Sequence, residues 1–484
     1  MNIHIFMYIF YLICPPIILF LFYLHRLYIV CKSDFIDYQV ELTKIKDSYT
    51  QCKSSNQSIC LDSRFHIGTL FRQRQKSSGL NFNGLNGIID FNFNEKYIKV
   101  GGKTTFHDIT LFTLPYGLAP MVVPEFSTIT IGGAISGIGI ESSSFKFGHP
   151  HENVCSMDVL ISSGKVVTCN RTNDFSDLFY AIPNSYGTLG YITSATIKLF
   201  PIKKFVSVTT KKFNDSSSLF LEMEKISKKE DVDFLECLVY KKVLDDNLSN
   251  EHVLVIGHLT DSLDNELFRL PEHKFDQLIK DDKPFCLSIY DYYWRWDTDM
   301  FWGTRNLPSI FHHPFVRKTL GRSFFNSRNI LRLRSWLSTI SENPKNEKII
   351  QDIGIPINNC AHFLDWLDQH IKIYPLWICP LKTSETNKSI LWRLNDGQLY
   401  CDFGIFGRIK HDDDQPFHQY TDNKLIEQKM IEFGGKKCFY SDTFYDRPTF
   451  DKQHHGSEYN EIKVKYDSDN LLSHVYDKCI YSSK

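Results

Sequence analysis

The sequence predicts an α+β fold, in which two domains follow an N-terminal membrane anchor. Three observations support this prediction. The first 25 residues contain no Lys, Arg, Asp or Glu. Short strand patterns and Gly-rich turns fill the stretch up to Pro201, and beyond it strand patterns alternate with longer helical stretches. We therefore predict an anchor (1–30), a juxtamembrane linker (31–58), a first domain (59–202) and a second domain (203–484).

The anchor prediction rests on a near-continuous apolar run from Ile5 to Leu24, which is long enough to cross a bilayer. A cleaved signal peptide would have a basic start, a shorter apolar region and a small-residue cleavage site. Pro15 and Pro16 would kink a helix, so a re-entrant hairpin is the alternative. Basic residues follow the run, which predicts a single pass with the body of the protein in the cytosol.

Composition limits the classes of function. Lys plus Arg number 55 and Asp plus Glu number 56, so the net charge of −1 argues against a general nucleic-acid binder. The 13 Cys are an odd number without any C-x-x-C pair, which predicts free thiols in a reducing compartment and no Cys-based zinc site. Aromatic residues make up 14% of the chain, including 38 Phe and 24 Tyr. These rings line a core, a membrane face or a ligand pocket.

The elements follow in chain order. A short helix is predicted within 33–58 and a strand at 97–100. Two strands around Ser162-Ser163-Gly164-Lys165 predict a hairpin, and Asp174 or Ser176 is the predicted cap of a short helix ending at Ala181. A strand then runs from Tyr191 to Phe200. Later strands are predicted at 235–240, 253–258, 374–379 and 399–403.

The most informative segment holds Gly132, Gly133, Gly137 and Gly139 within eight residues. Such dense glycines permit positive φ and a close approach of backbone N–H groups to a ligand, an arrangement that binds phosphate. Nearby serines add hydroxyl donors, namely Ser136, Ser142, Ser143 and Ser144. The third glycine of a Rossmann fingerprint is missing and no Walker motif occurs. A Gly-rich turn that binds nothing is the alternative.

The run from Pro124 to Gly148 resembles the second pyrophosphate loop of the FAD-binding domain shared by vanillyl-alcohol oxidase and p-cresol methylhydroxylase. Asp177-Leu-Phe-Tyr-Ala-x-Pro183 and Gly187-Thr-Leu-Gly190 resemble the end of that domain. The Ile140-Glu-Ser-Ser-Ser144 variant is similar to the Δ24-sterol reductases. The similarity continues in four further segments: Tyr292-Tyr293 with Phe301-Trp302, Tyr374 to Pro380, Tyr440-Ser-Asp442 and Val475 to Lys478.

The resemblance implies a two-lobed FAD-binding domain, a C-terminal α+β cap domain and non-covalently bound FAD. The implied FAD-binding residues are Thr130, Ile131, Gly132, Gly133, Ala134, Ile135, Ser136, Gly137, Ile138, Gly139, Ile140, Glu141, Ser142, Gly187 and Gly190. The chain departs from the superfamily at the first phosphate loop, near 60–68, where only Arg64 and Gly68 remain of an Arg- and Gly-rich turn.

The implied reaction is reduction of the Δ24 double bond of a sterol side chain, with NADPH reloading the flavin. An unpolarised alkene also needs a general acid. The candidates are Tyr293, Arg295, Tyr374, Asp402, Tyr440 and Lys478. Tyr293 and Tyr374 are preferred because a tyrosine serves both as pocket wall and as donor. The aromatic stretch 290–302 is either a sterol pocket or core.

The resemblance further implies a sterol substrate and a place in the endoplasmic reticulum membrane; the oligomeric state is left open. We expect no metal site, even at His149 and His151, and no covalent flavin link at His66. The remaining paired histidines, His312-His313 and His454-His455, are expected in solvated loops. Two alternative functions are an oxidase of a polar alcohol or lactone, and a membrane sterol-binding protein that has lost catalysis.

Overall fold

The computed structural model describes residues 35–54, 59–61, 78–244, 247–270, 272–298, 309–318, 326, 327, 329, 346–383, 388–411 and 420–480. The helices of this part are α1 Tyr38–Ser54, α2 Phe106–Thr113, α3 Ile131–Gly137, α4 Ser144–Phe147, α5 Ser176–Ala181, α6 Ser216–Ser227, α7 Phe275–Leu278, α8 Ile289–Tyr293, α9 Ile357–His370, α10 Thr421–Glu432, α11 Arg447–Gln453, α12 Gly456–Tyr466 and α13 Val475–Cys479.

The strands alternate with these helices. They are β1 Ile59–Leu61, β2 Ser78–Leu80, β3 Ile88–Asn92, β4 Tyr97–Gly101, β5 Leu118–Pro120, β6 Val154–Leu160, β7 Val166–Asn170, β8 Tyr191–Pro201, β9 Phe205–Phe213, β10 Phe234–Leu244, β11 Asn247–Thr260, β12 Glu266–Phe268, β13 Phe285–Ser288, β14 Asn346–Pro356, β15 Leu376–Lys382, β16 Leu399–Lys410 and β17 Lys436–Lys437. The mixed α/β architecture agrees with the predicted fold class.

The first large sheet is six-stranded, with the order β3-β4-β8-β6-β7 and β5 paired to β8. Its neighbours are antiparallel, and β6 and β7 form the predicted hairpin. Strand β8 lies at the centre and ends at Pro201, as its alternating pattern predicts. A short parallel pair, β1 and β2, lies apart from this sheet.

Helix α1 packs onto the six-stranded sheet. This sheet and the helices packed on it are called the first lobe below. Its buried face, which includes Leu42, Ile45 and Tyr49, joins a core cluster with Leu160 and Tyr191. The Tyr38 hydroxyl lies 2.7 Å from Thr193 Oγ1 of β8. The predicted juxtamembrane helix is therefore part of the folded body. None of the helices in the described residues is both long enough and apolar enough to cross a membrane. The predicted anchor at 1–30 lies outside those residues.

The second sheet has nine strands in the order β12-β13-β9-β11-β10-β15-β16-β14-β17. All neighbours are antiparallel except β12 and β13. One face is covered by α6 and α9, where the ring of Phe363 contacts that of Phe403 edge-on at 5.0 Å. The opposite face, which carries Asp402, meets the first lobe, since α4 packs on β15 and Leu235 N–H donates to Ser142 O at 2.8 Å.

Two local predictions have clear outcomes. The helix at Ser176–Ala181 is present, but its N-cap is Phe175, and neither Asp174 nor Ser176 caps it. Asp177 is instead bonded to the Leu178 N–H and to the Tyr466 hydroxyl, which ties this helix to α12. Free thiols are found, as expected, at eight cysteines of the described part, namely Cys155, Cys169, Cys237, Cys286, Cys360, Cys379, Cys401 and Cys438.

Candidate functional site

The glycine-rich segment forms the short helix α3, which begins after Thr130. Thr130 has an extended backbone, and its side chain accepts a hydrogen bond from Gly133 N at 3.1 Å, which makes it the N-cap. Ile131, Ala134 and Ile135 are buried in the core. The side chains of this helix thus anchor it in the core of the first lobe, while its glycines provide a surface without side chains.

The expectation of positive φ at these glycines is wrong. None of Gly132, Gly133, Gly137 and Gly139 has a positive φ, whereas Ile138, the C-cap, has a φ of 59°. Packing explains two of the glycines: a Cβ on Gly132 would lie 2.8 Å from Gly102 O, and one on Gly139 would lie 3.0 Å from Pro150 Cγ. Small size, rather than a left-handed backbone, is what the fold requires at those two positions.

The N–H groups of the first turn are already used within the fold. Ile131 N donates to Thr104 O at 2.8 Å, and Gly132 N donates to Gly102 O at 3.0 Å. The predicted serine donors also bond to protein. Ser136 Oγ donates to Gly132 O and Ser143 Oγ donates to Met121 O. The segment is therefore a capped helix and not an open nest of N–H donors.

What remains available to a ligand is the surface of the helix and a few hydroxyls. Gly133 is exposed, and a Cβ placed there would have only Thr130 Oγ1 within 4 Å, at 3.0 Å. The hydroxyls of Thr128 and Ser185 are buried without a partner among the described residues. A surface without side chains permits the close approach of a ligand.

Gly187 and Gly190 lie in the turn before β8. Their φ values are 77° and 150°, which other residues rarely adopt. A Cβ at Gly190 would lie 2.6 Å from Val159 Cγ1, and one at Gly187 would lie 2.5 Å from the Tyr191 ring. The turn therefore requires both glycines for its own conformation, whatever it binds.

Arg295 joins the first lobe to the second sheet through two buried carboxylates. Its Nη2 donates to Glu141 Oε1 at 2.5 Å and its Nε donates to Glu236 Oε1 at 2.8 Å. Trp296 and Trp377 add their indole N–H groups to Glu236 Oε2. Burial raises the pKa of Glu141 and Arg295 opposes this, while the two carboxylates raise the pKa of Arg295 well above its ordinary value despite its burial.

The described part of the aromatic stretch is core around this ion cluster. Tyr292, Trp294 and Trp296 are all buried. The ring of Tyr292 lies 4.5 Å from that of Phe234, and Trp296 meets Phe275 edge-on at 5.1 Å. Phe301 and Trp302 lie outside the described residues. The rings in the described part therefore shield Arg295 from water.

The two preferred tyrosines lie in different surroundings. Tyr293 is buried beside Phe234, and burial raises the pKa of its hydroxyl. The Tyr374 hydroxyl donates to Asp368 of α9, and the Lys241 ammonium lies 4.9 Å from its ring. Burial, followed by the contact with Asp368, raises the pKa of Tyr374.

Three carboxyl groups meet where the second sheet faces the first lobe. Asp402 is fully buried, and neither of its carboxylate oxygens has a hydrogen-bond partner in the described part of the chain. Burial, with the charges of Asp352 and Glu125, holds its pKa well above the ordinary value. Burial raises the pKa of Asp352 to about 7, against lowering contributions from Tyr440 and Lys437.

The sequence reasoning considered Asp402 but missed Asp352, Glu125 and Glu236 as partners. A signal was present for Glu236, which is a charged residue inside an otherwise apolar strand pattern. The proximity of Asp352 and Asp402, by contrast, follows only from the register of their strands. Asp352 pairs with Gly404 and Asp402 pairs with Gly354, so the two side chains are diagonal neighbours on one face.

His149, His151 and Glu152 lie close enough together to suggest a metal cluster. Both ring nitrogens of His149 are engaged, however: Nδ1 lies 2.8 Å from Glu152 Oε1, and Nε2 accepts from Trp392 Nε1 at 3.2 Å. A second group of possible ligands, Glu347, His411 and Asp422, forms ion pairs. In the first group, the contacts of His149 therefore compete with coordination of a metal by that residue.

The expectation of a solvated His454 is wrong. Its ring is fully buried against Phe439, at 4.4 Å between centroids, and its Nδ1 lies 3.2 Å from Leu391 O. Burial holds its pKa well below the ordinary value. His313 is exposed as expected, and His455 and His312 are half-buried. His66 and most of the first phosphate loop lie outside the described residues.

Comparison with known proteins adds two findings. Residues 66–170 match an FAD binding domain. The chain is 25% identical over 403 residues to Delta(24)-sterol reductase of Homo sapiens, covering 81% of this chain and 75% of that protein. The corresponding protein of Pisum sativum is 26% identical over 430 residues, covering 81% and 74%. Cytokinin dehydrogenase 7 of Oryza sativa subsp. japonica is 35% identical over 133 residues, covering 28% and 25%.

Proposed function

We propose that this chain, a homologue of the Delta(24)-sterol reductases with an FAD-binding domain, is an FAD-dependent oxidoreductase that saturates the Δ24 side-chain double bond of sterol intermediates. The observation that carries the proposal is similarity to named sterol reductases over 81% of the chain, which spans the cap as well as the FAD-binding domain. An FAD-binding domain alone would leave the substrate open, because its match covers residues 66–170 and no part of the cap.

FAD would lie against the Thr130–Ser142 segment and the turn with Gly187 and Gly190. The fit rests on the exposed surface at Gly133 and on the unpartnered hydroxyls of Thr128 and Ser185 among the described residues. Because the first-turn amides are already bonded, we propose that the glycines admit the cofactor by their small size. When bound and reduced, FAD supplies the hydride.

The chain's own residues position this segment and exclude water from its Glu141 end. Glu141 ends the segment, and its ion pair with Arg295 holds it against the second sheet. Trp296 and Trp377 close the cluster, since both donate to Glu236. A dry, rigid site suits the reaction, because an isolated alkene is reduced only when hydride and proton sources are both held in place.

We further propose NADPH as the electron donor and a single-pass anchor at residues 1–30 that holds the catalytic body on the cytosolic side of the endoplasmic reticulum membrane. The apolar, charge-free start of the sequence supports the anchor. Free thiols at eight described cysteines, among them Cys155 and Cys169, are compatible with a reducing compartment.

Detergent-solubilised, full-length protein tests the proposal. We expect bound flavin in the visible spectrum, bleaching of the flavin by NADPH without oxygen, and recovery of its colour on addition of a Δ24 sterol. Flavin that is bleached by a polar alcohol and recovers its colour with oxygen, but not with the sterol, would indicate an oxidase. Sterol binding without any flavin would indicate a catalytically silent binding protein.

A further inference from the structure

The second sheet presents a row of ionisable side chains to the first lobe. The row begins with Asp352 on β14, followed by Asp402 on the adjacent strand β16 and Cys379 on β15. The strand register places Asp402 opposite both Gly354 and Cys379. The row continues to Glu236 of β10, which binds Arg295. This row lies on the sheet face opposite to the one on which Phe403 contacts α9.

Within this row Asp402 differs from its neighbours. Its side chain is 0% exposed, and among the described residues neither carboxylate oxygen has a hydrogen-bond partner. The nearby cations are engaged elsewhere: the Lys437 ammonium binds Glu427 at 2.6 Å, and Arg295 binds Glu141 and Glu236. A buried carboxylate without a cation is strongly disfavoured, so the group holds its proton.

Two further acidic residues lie beside Asp402. Asp352 and Glu125 are partly exposed, and the charges of both act on Asp402. Gly404 packs closely beside Asp352, since a Cβ on Gly404 would lie 3.3 Å from Asp352 Oδ1 and 2.9 Å from the Phe406 ring. An enclosed acid beside two solvent-accessible acids is the arrangement that a proton donor and its resupply require.

We propose that Asp402 is the general acid of this site, which protonates one alkene carbon of the sterol and is reprotonated from solvent through Asp352 and Glu125. The proposal rests on the function proposed above. The Oδ–H bond of Asp402 breaks as a C–H bond forms at one alkene carbon. The other carbon receives hydride from the reduced flavin, so the sterol gains two electrons and the flavin loses two.

Several groups set the protonation of Asp402. They are Asp352 on β14, Glu125 on the first lobe, Cys379 on β15, Cys401 on β16, Cys438 after β17, Tyr440, and the more distant pairs Lys437–Glu427 and Arg295–Glu141. The carboxyls raise the pKa of Asp402, and burial acts in the same direction. Burial and these charges both favour the protonated acid.

Stopped-flow measurement of the flavin in the Asp402→Asn variant tests the proposal. The amide is close in shape to the protonated acid, so we expect wild-type flavin content and wild-type reduction by NADPH. Recovery of oxidised flavin with a Δ24 sterol should slow by roughly 10²–10⁴-fold, the contribution of a general acid. Asp396→Asn is the control, because Asp396 is exposed in the turn before β16.

Infrared spectra provide a readout that is independent of turnover. One carbonyl stretch of a protonated carboxylic acid should be present at neutral pH in the wild type and lost in Asp402→Asn, whereas any band from Asp352, whose pKa burial raises to about 7, should remain. Wild-type recovery rates in Asp402→Asn, or an unchanged infrared band, would overturn the assignment. Protein that binds no flavin in any variant would instead contradict the proposed function, so the two failures are distinguishable.

A second variant decides the question if Asp402→Asn does not fold. In Asp352→Asn a neighbouring negative charge is removed, which lowers the pKa of Asp402. The fall in sterol-dependent flavin recovery at alkaline pH should then begin at a lower pH than in the wild type. An alkaline limb at the same pH in both proteins would overturn the proposal.

Discussion

Arg295 donates to Glu141 over 2.5 Å inside the protein, where the side chains are 0% and 2% exposed. Arg295 also binds Glu236, so one cation serves two buried carboxylates. Glu141 belongs to the glycine-rich segment, whereas Arg295 and Glu236 belong to the second domain. This ion cluster therefore connects the proposed flavin segment to the second sheet, in which Glu236 belongs to strand β10.

Removal of the cation should destabilise the protein strongly. Arg295→Met leaves two carboxylates buried without a partner cation, which costs about 3–5 kcal/mol in buried pairs. We expect that loss in denaturant unfolding, together with reduced flavin content. Arg393→Met is the control, because the Arg393–Glu458 pair is solvent-accessible and contributes less than about 1 kcal/mol. Equal unfolding midpoints for both variants would contradict the role of Arg295.

Gly133→Asp should lose flavin but keep the fold. Gly133 is exposed at the third position of a helix capped by Thr130, where an acidic side chain suits the helix dipole. The same charge would repel the diphosphate of FAD. Flavin absorbance per protein measures the effect, with circular dichroism as the check on folding. Gly133→Ala is the matched variant and should lose less, whereas full flavin occupancy in Gly133→Asp would contradict this binding surface.

The lowered pKa of His151 leads us to expect that the protein loses stability in acid. Burial, together with the neighbouring His149, lowers the pKa of His151 to about 3, so the unfolded chain binds more protons between that value and about 6.5. Stability is therefore lost as the pH falls through this window, by about 2–3 kcal/mol between pH 7 and pH 4.5. His151→Leu should flatten this dependence in unfolding experiments. His313→Leu, at an exposed position, should not.

The raised pKa of Asp352 leads us to expect the opposite dependence of stability on pH. Burial raises its pKa to about 7, so the native state binds more protons than the unfolded chain between about pH 4 and that value. Its contribution is complete in acid and is lost as the pH rises towards 7. Asp352→Asn should therefore gain stability over the wild type, on the order of 2 kcal/mol, between pH 5 and pH 8. A constant difference between the two proteins across this range would contradict the shift.

Tyr374→Phe separates the tyrosine and carboxyl candidates for the proton donor. The Tyr374 hydroxyl is bonded to Asp368, so its loss should reduce stability by about 1 kcal/mol. Sterol-dependent recovery of flavin should stay within about tenfold of the wild type. Tyr293→Phe, which removes a hydroxyl buried beside Phe234, is the companion variant. A rate loss as large as that of a missing general acid in either variant would identify that tyrosine as the donor.

Local features of the fold were predictable from sequence because they depend on neighbours in the chain. The hairpin of β6 and β7 follows from two apolar runs around a Gly-containing turn. Strand β8 follows from alternation that ends at Pro201. The cap of α5 was mispredicted, since its N-cap is Phe175 and not Asp174 or Ser176. In its first turn, Asp177 bonds to Tyr466 far along the chain. Distant partners of this kind leave no local pattern.

The sequence by itself determined the glycine-rich segment, the resemblance to FAD-dependent sterol reductases and the order of the two domains. Tertiary structure decided which side chains meet: Arg295 with Glu141 and Glu236, and Asp402 with Asp352. It also showed that Gly132 and Gly139 serve close packing without a positive φ and that His454 is core. The physical reason is that burial, strand register and charge pairing depend on contacts between segments that lie far apart in the chain.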